Sequence, residues 1–254
     1  MPATSRHALP IAIPFVLTAA WETIARGLGY DSFPPPDRVL PAFWALLRTG
    51  TLWTNTVHTL AVVLAAWVLS GLVGVATGLA IGLVRPVWRM SQTSVEFLRF
   101  IPPVALIPVV IIIYGFSNTT ELVVAAYAAV WPVILNTGSG VAQVDRRLLE
   151  VGRLLRLGFP GVVRKLVLPS ALPAIAVGLR LSLAISLIVV VTTEMVGVPD
   201  GLGFQLVSSS QAIRYDRVYA YVVWIGNLGL LLAVLALWTE RRLMPWRRPA
   251  RAEA

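Results

Sequence analysis

The sequence predicts an all-α membrane protein that crosses the bilayer several times, and three observations carry this prediction. Hydrophobic residues make up 57% of the 254 residues and charged residues only 13%, against roughly 45–50% and 25% in soluble domains. The mean hydropathy is +0.78. Apolar stretches of about 20 residues recur, and each is long enough to cross a hydrocarbon core of about 30 Å as a helix. We therefore expect a single transmembrane domain over residues 1–254.

About six transmembrane helices are expected, with the longest polar loop at residues 138–168. The first apolar stretch follows Arg6 and also has features of a cleavable signal peptide. Its apolar run continues through Trp21 and Ile24 without a clear cleavage site, so we expect it to be retained. Cleavage would leave five spans in the same orientation. The spans are predicted at about residues 9–28, 56–84, 100–116, 122–137, 171–193 and 218–238.

The basic residues predict the orientation of the chain. The net charge is +9 and the pI is near 11.0, which by itself would also suit a nucleic-acid-binding protein. However, 15 of the 21 lysines and arginines lie in alternate segments, five in the opposite segments, with Arg26 counted among them, and one inside a span. This is the positive-inside pattern of membrane proteins. We expect a multi-pass protein of the cell membrane with both termini cytoplasmic, and no nucleic-acid partner.

Cysteine and histidine usage argues against a metal or thiol site. The chain has no cysteine and only two histidines, His7 and His58, which excludes disulfides and thiolate chemistry. His58 lies at the start of an apolar span, where an interfacial position is expected rather than a role as a metal ligand. We therefore expect this chain to bind no metal or cofactor.

Two patterns indicate how the helices lie. Residues 39–47, after a Pro-rich turn, have the apolar spacing of a short amphipathic helix at the membrane interface. Small residues recur at a four-residue spacing in the second span, which favours close packing against another helix over a place along a pore. These small residues are Ser70, Gly74, Gly78 and Gly82.

The third span contains Pro102, Pro103 and Pro108, and the fourth contains Pro132. Because proline removes a backbone donor, these helices are expected to bend. Two interpretations stay open at this point. Bent helices can line a gated pathway, but prolines are also common in membrane helices generally.

Two charges are expected inside the membrane region, Arg180 in the fifth span and Glu194 near its end. A charge at the bilayer centre costs about 2.5 to 3.5 kcal/mol, so each should face protein or water. They are 14 residues, or about 21 Å, apart along one helix and cannot pair with each other there. For Glu194 we expect a structural role between helices rather than gating.

The polar loop contains a motif that resembles the EAA loop of ABC importer permeases. Glu150, Val151 and Gly152 open the motif, and Leu168 and Pro169 close it at the spacing of that family. The family's turn glycine is replaced by Arg156, and the nearest glycine is Gly158, which suggests a turn shifted by two residues. Further segments resemble the nitrate, sulfonate and taurine branch of these permeases: Ile101–Gly115, Leu135–Thr137 with Gly140, Gly178–Arg180, Thr193–Met195, Gly201–Gly203 and Glu240–Arg242. Because the segment Gly178–Arg180 belongs to the pattern of permeases with different solutes, the resemblance implies shared mechanics or helix packing for Arg180 rather than solute selection.

The resemblance implies a type I importer permease whose EAA loop couples to separate ATPase subunits. ATP and Mg²⁺ would bind those subunits, a second permease copy would complete the pathway, and an extracytoplasmic binding protein would deliver a small polar or anionic solute. Residues 148–157 suit the coupling helix, with Leu148, Val151, Leu154 and Leu155 on one face and charged residues, Arg153 among them, around the other. The chain has no phosphate-binding loop, and its only lysine is Lys165.

Two other classes of protein are less consistent with the sequence. An ion-coupled secondary transporter would show inverted repeats and several ionisable residues near the membrane midplane, where only Arg180 is found. An intramembrane enzyme would need a histidine, cysteine or paired-carboxylate constellation, and none is apparent. The sequence therefore favours a transport subunit without covalent chemistry of its own.

Overall fold

The computed structural model describes residues 5–244. These residues form eleven α-helices and one π-helical turn, with no β-strand among them. The helices are α1 (Ser5–Leu28), α2 (Pro36–Arg48), α3 (Thr51–Gly82), α4 (Arg85–Arg99), α5 (Pro103–Tyr114), α6 (Asn118–Ala142), α7 (Arg146–Leu154), α8 (Phe159–Val162), the π turn (Val163–Val167), α9 (Leu168–Val196), α10 (Gly201–Gln211) and α11 (Tyr215–Leu243). The predicted all-α class is confirmed.

Four helical stretches in residues 5–244 are long and apolar enough to cross a membrane, namely Thr51–Gly82, Asn118–Ala142, Phe159–Val196 and Tyr215–Leu243. They overlap the second, fourth, fifth and sixth predicted spans. The first predicted span falls in α1, and part of it lies outside the residues whose side chains are described.

The third span differs from its prediction as a single helix over residues 100–116. Helix α5 covers only Pro103–Tyr114, about 18 Å, which is shorter than the hydrocarbon core. It is preceded by a second helix, α4, where a loop was expected, and the two helices are bent by 74°. Together they count as a fifth candidate span. The bend falls where Pro102 and Pro103 interrupt the backbone hydrogen bonding.

Helices α3, α6 and α9 form the core of the bundle. Fully buried apolar side chains from all three meet there, among them Val63, Val124 and Val190. Helix α11 packs on this core with only Ala220, Tyr221 and Leu228 buried. Much of its apolar surface therefore remains available to lipid or to another protein.

The small residues of α3 lie against α6. A Cβ atom added to Gly74 would come 2.6 Å from Cβ of Val133, one on Gly78 would come 2.6 Å from Cβ of Thr137, and one on Gly82 would come 2.9 Å from Cβ of Val141. The partner residues also recur every four positions, so α3 and α6 run parallel in a fixed register. The fourth small residue, Ser70, is within 2.9 Å of Ser182 on α9. The prediction of close packing is confirmed.

The bundle has two ends, which we call the loop end and the far end. The loop end contains the C-termini of α3 and α6, the start of α9, and α7. The far end contains the N-termini of α3, α6 and α11, the end of α9, and α10. Helix α2, which overlaps the predicted amphipathic segment 39–47, buries Val39, Ala42 and Leu46 and packs on the first part of α11.

Candidate functional site

Helix α7 leaves the bundle at the loop end and has a defined start. The side chain of Asp145 accepts a hydrogen bond of 2.9 Å from the backbone N–H of Arg147. This interaction caps one of the free donors at the helix N-terminus. The helix runs from Arg146 to Leu154, about two residues earlier than the predicted segment 148–157.

The end of α7 is a Schellman motif built around Arg156. The N–H of Leu157 donates to the carbonyl of Gly152 at 3.0 Å, and the N–H of Arg156 donates to the carbonyl of Arg153 at 2.9 Å. Arg156 adopts a left-handed conformation with φ of 50°, which normally favours glycine. Gly158 has φ of −64° and begins α8 instead. The expected shift of the turn to Gly158 is therefore wrong, because Arg156 forms the turn itself.

Residues 146–158, which carry the EAA-like motif and which we call the coupling segment, are joined through Gly152 to the π turn that precedes α9. This residue is buried, and a Cβ atom there would come 2.7 Å from Cδ1 of Leu166 in the π turn. The π turn continues into α9, whose first residues are Leu168 and Pro169. Helix α8, the π turn and α9 form one continuous stretch of 38 residues. A force on α7 thus acts directly on the base of a core helix.

The apolar residues predicted on one face of the coupling helix point in two different directions. Leu148 packs against a small core at the loop end. Val151, Leu154 and Leu155 point outward with 46%, 82% and 66% exposure, and Phe159 beside them is 69% exposed. We call these four exposed residues the coupling surface. Glu150 and Arg153 are also exposed, so the segment offers an apolar patch with charges around it.

The three prolines predicted in the third span have separate positions. Pro102 is the N-cap of α5, Pro103 is at its first turn, and only Pro108 lies inside the helix. The first two lie at the 74° bend between α4 and α5, where a bend was predicted, and they also start the second of these helices. Next to Pro108, Ile107 is fully buried against the core.

Arg180 belongs to a run of three residues that contact three different helices. Gly178 faces α6, where an added Cβ would lie 3.0 Å from the carbonyl oxygen of Pro132. The carbonyl of Leu179 accepts a 2.8 Å hydrogen bond from the indole of Trp67 on α3. Arg180 donates to Glu240 of α11 at 3.0 Å. This arrangement is consistent with the helix-packing role expected for Arg180.

Glu194 lies at the far end and is fully buried. One carboxylate oxygen accepts a 2.6 Å hydrogen bond from the hydroxyl of Thr59 on α3, and the other accepts a 2.7 Å bond from the N–H of Gly203 on α10. The side chain therefore joins α9 to α3 and α10. This geometry agrees with the structural role predicted for it.

Helix α10 was not predicted, and its first turn explains the Gly-Leu-Gly sequence at residues 201–203. The N–H of Gly201 donates to Asn55 and that of Leu202 to Thr59, so α3 side chains cap the helix. Gly201 has φ of 92°, and a Cβ atom there would overlap the carboxyl group of Glu194. A Cβ on Gly203 would overlap the carbonyl of Val191. No spacing in the sequence connects these residues, because Thr59 and Glu194 are 135 positions apart.

Comparison with known proteins is consistent with this architecture. The family described as "Binding-protein-dependent transport system inner membrane component" matches residues 70–245. The chain is 30% identical to the putative aliphatic sulfonates transport permease protein SsuC of Bacillus subtilis (strain 168), over 93% of this chain and 87% of that protein. It is 28% identical to the taurine transport system permease protein TauC of Escherichia coli (strain K12), over 96% and 92%.

Among solved structures, a chain of the MetNI methionine ABC transporter in an inward-facing conformation has the same fold. Its TM-score is 0.65 at 22% sequence identity, with 80% of this chain and 97% of that chain covered. The family match begins within α3 and includes the EAA-like loop, α6, α9 with Glu194, and α10. The chain therefore belongs to the family of binding-protein-dependent transport system inner membrane components, the membrane-embedded permeases of ABC importers.

Proposed function

We propose that this chain forms, with a second copy of itself, the translocation pathway of an ATP-driven importer for a small anionic or polar solute. In this proposal the pathway alternates between inward-facing and outward-facing states as partner ATPase subunits bind and hydrolyse ATP. The names of the sulfonate and taurine permeases described above support the solute class, since both refer to compounds with a small anionic group. Both termini are assigned to the cytoplasm.

The observation that carries the proposal is the coupling surface together with its attachment to α9. An exposed apolar patch on a polar loop marks a protein contact site. The patch lies on a helix with fixed ends, and Gly152 packs that helix on the π turn that leads into α9. A partner that holds α7 can therefore displace a core helix without first deforming a flexible loop.

The family and this geometry support the following assignment of partners. ATP-binding subunits are assigned to the coupling surface, and a solute-binding protein to the far end. ATP and Mg²⁺ are assigned to the ATP-binding subunits, because this chain has no phosphate-binding loop. The purified chain alone is thus expected to hydrolyse no ATP.

Leu154→Glu tests the coupling surface, because Leu154 is its most exposed member at 82%. Burying a leucine in an interface contributes about 1.5 to 3 kcal/mol, so the variant should recover the ATPase subunit with at least about tenfold lower affinity. The matched control is Leu40→Glu on α2, a leucine of 61% exposure outside the coupling segment. The measurement is co-purification of the ATPase subunit and solute uptake. Normal assembly and uptake by Leu154→Glu would contradict the assignment.

Glu150→Arg tests the carboxylate that opens the motif. Reversing a charge in a docked interface costs about 2 to 5 kcal/mol, a loss of roughly thirtyfold or more in affinity. Membrane insertion should be unchanged, because Glu150 lies on the exposed loop helix. If Glu150→Arg assembles and transports like the parent chain, this residue has no role in coupling, whatever the result for Leu154.

A further inference from the structure

Three side chains with metal-binding atoms meet at the far end of the bundle. They are His58 on α3, Glu121 in the first turn of α6, and Glu194 near the end of α9. One nitrogen or oxygen atom from each residue lies within 4.8 Å of those of the other two. The three residues come from separate helices, so the cluster exists only in the folded bundle.

Glu121 has an unsatisfied carboxylate oxygen. Its side chain has no exposed surface, and its Oε2 atom has no hydrogen-bond partner within the described residues. Its Oε1 atom lies 3.5 Å from Nε2 of His58, at the outer limit of a hydrogen bond. Leaving a buried polar atom unpaired costs the full desolvation penalty of the group, and more if it is charged. Oε2 of Glu121 therefore has lone pairs available for a ligand that the described residues do not supply.

Glu194, in contrast, is held in one orientation. The hydroxyl of Thr59 accepts a hydrogen bond from the N–H of Leu202, so its single proton is available to Glu194. The N–H of Gly203 holds the second oxygen. A carboxylate that accepts one hydrogen bond on each oxygen keeps further lone pairs for another ligand. Metal-binding carboxylates are commonly oriented by an outer set of hydrogen bonds of this kind.

We propose that His58, Glu121 and Glu194 bind one divalent first-row transition-metal ion, with zinc as the reference ion. One imidazole and two carboxylates form a donor set that suits zinc and related ions. Two carboxylates also balance the charge of a divalent cation. At metal–ligand bonds of about 2.0 to 2.2 Å, tetrahedral ligand atoms lie about 3.4 Å apart, close to the 3.5 Å between His58 and Glu121. Small rotations of the His58 and Glu121 side chains would shorten the distances from their ligand atoms to the carboxylate of Glu194.

The cluster also has a route for an ion to enter. The side chain of His58 is 20% exposed, whereas Glu121 is sealed. The ion would enter from the side of His58. Water would occupy its fourth coordination position. A proton shared between the two carboxylates would also lower the charge. However, such sharing needs a hydrogen bond between them, and Oε2 of Glu121 has no hydrogen-bond partner in the described part of the chain.

The test uses the full chain, purified in detergent with a tag that contains no histidine. A His7→Gln background leaves His58 as the single histidine of the chain. After treatment with a chelator, the protein is titrated with Co²⁺, whose visible absorption reports its coordination, and then with Zn²⁺. We expect one Co²⁺ per chain and its displacement by Zn²⁺. Zn²⁺ should also raise the melting temperature, because it binds only the folded state.

The variants are His58→Gln and Glu121→Gln. Loss of an outer hydrogen bond to a ligand costs about 10- to 100-fold in metal affinity, so loss of a ligand should cost at least about 100-fold. The matched control is Asp200→Asn, which removes an exposed charge that interacts with both carboxylates. Its effect should be less than about fivefold, because exposed charges interact weakly across water.

Folding of the variants is checked by gel filtration and by melting without metal. Glu121→Gln replaces a buried carboxyl group by an uncharged amide of the same shape, so the metal-free variant should melt at or above the temperature of the metal-free parent. Two results would overturn the proposal. One is a monodisperse parent that binds neither Co²⁺ nor Zn²⁺, as expected for a cluster that holds only a proton. The other is equal binding by the parent, His58→Gln and Glu121→Gln, which would place the ion elsewhere. The proposal does not depend on coupling or transport.

Discussion

Arg180 on α9 and Glu240 on α11 form an ion pair, with Nη1 of the arginine 3.0 Å from Oε2 of the glutamate. The side chains are 34% and 14% exposed, respectively. Because α11 has only three buried residues, all in its first half, this pair is a major link between its last turns and the core. The pair thus adds a polar contact to the loop-end half of α11, where Leu232 and Ala236 pack on the core but are only partly buried.

Arg180→Met should lower the stability of the protein in detergent by about 1 to 2 kcal/mol. A fully buried pair would cost about 3 to 5 kcal/mol, but partial exposure of Arg180 reduces this value. The exchanged pair Arg180→Glu with Glu240→Arg should recover part of the loss. Arg241→Met, at an exposed position of the same helix, serves as the control and should change stability by less than about 0.5 kcal/mol. Equal melting of Arg180→Met and the control would show that the pair contributes nothing.

Gly78→Ala should destabilise the bundle by about 1 to 3 kcal/mol. The added methyl would come 2.6 Å from Cβ of Thr137 and 2.9 Å from the carbonyl oxygen of Ile134, so the backbones would have to separate. Gly226→Ala is the matched control, since a Cβ there has no atom within 4 Å. It should be neutral or stabilising by up to about 1 kcal/mol. The measurement is the thermal unfolding of the two variants. A similar loss of stability in both would contradict the close α3–α6 contact.

Arg156→Gly should stabilise the coupling segment by about 0.5 to 1 kcal/mol. A left-handed conformation costs an ordinary residue about 1 to 2 kcal/mol, and the greater freedom of glycine in the unfolded chain offsets part of the gain. Arg153→Gly, inside α7, should instead cost about 1 kcal/mol. Amide hydrogen exchange over residues 146–158 measures both effects. Faster exchange in Arg156→Gly would mean that Arg156 makes contacts that outweigh its strain.

The proposed orientation is tested by single cysteines, because the chain has none of its own. A cysteine at Gln211, exposed at the end of α10, should react in whole cells with a thiol reagent that does not cross membranes. A cysteine at Arg147, exposed on α7, should react only after the cells are opened. The reverse labelling pattern would invert the assignment of both termini.

The core helices and the coupling segment were predictable because their signals are local. The length of an apolar run specifies a span, and the four-residue spacing of Gly74, Gly78 and Gly82 specifies a packing face. The coupling helix was recognised from a motif of fixed spacing between Glu150 and Pro169. In each of these cases the residues that matter are neighbours in the sequence or along one helix.

The far end was not predictable because its contacts join distant parts of the chain. Glu194 was expected to have a structural role, but Glu121 gave no signal, since its partner His58 is 63 positions away. His58 was therefore assigned to the interface and not to a cluster. Helix α10 was missed because its Gly and Ser residues favour a loop locally. Side chains of α3 and α9 stabilise it by capping its first turn.

The interlocked residues of α3 and α6 limit how this protein can change shape. Since both helices repeat their contact residues every four positions, one can slide along the other only by a full step of about 6 Å, and any smaller shift would drive the Val133 and Thr137 side chains into backbone. The two helices must therefore move as one rigid body. In the proposed transport cycle, a change between states is then expected outside the α3–α6 contact, for example where α5 packs on α6 and where α11 packs on α9.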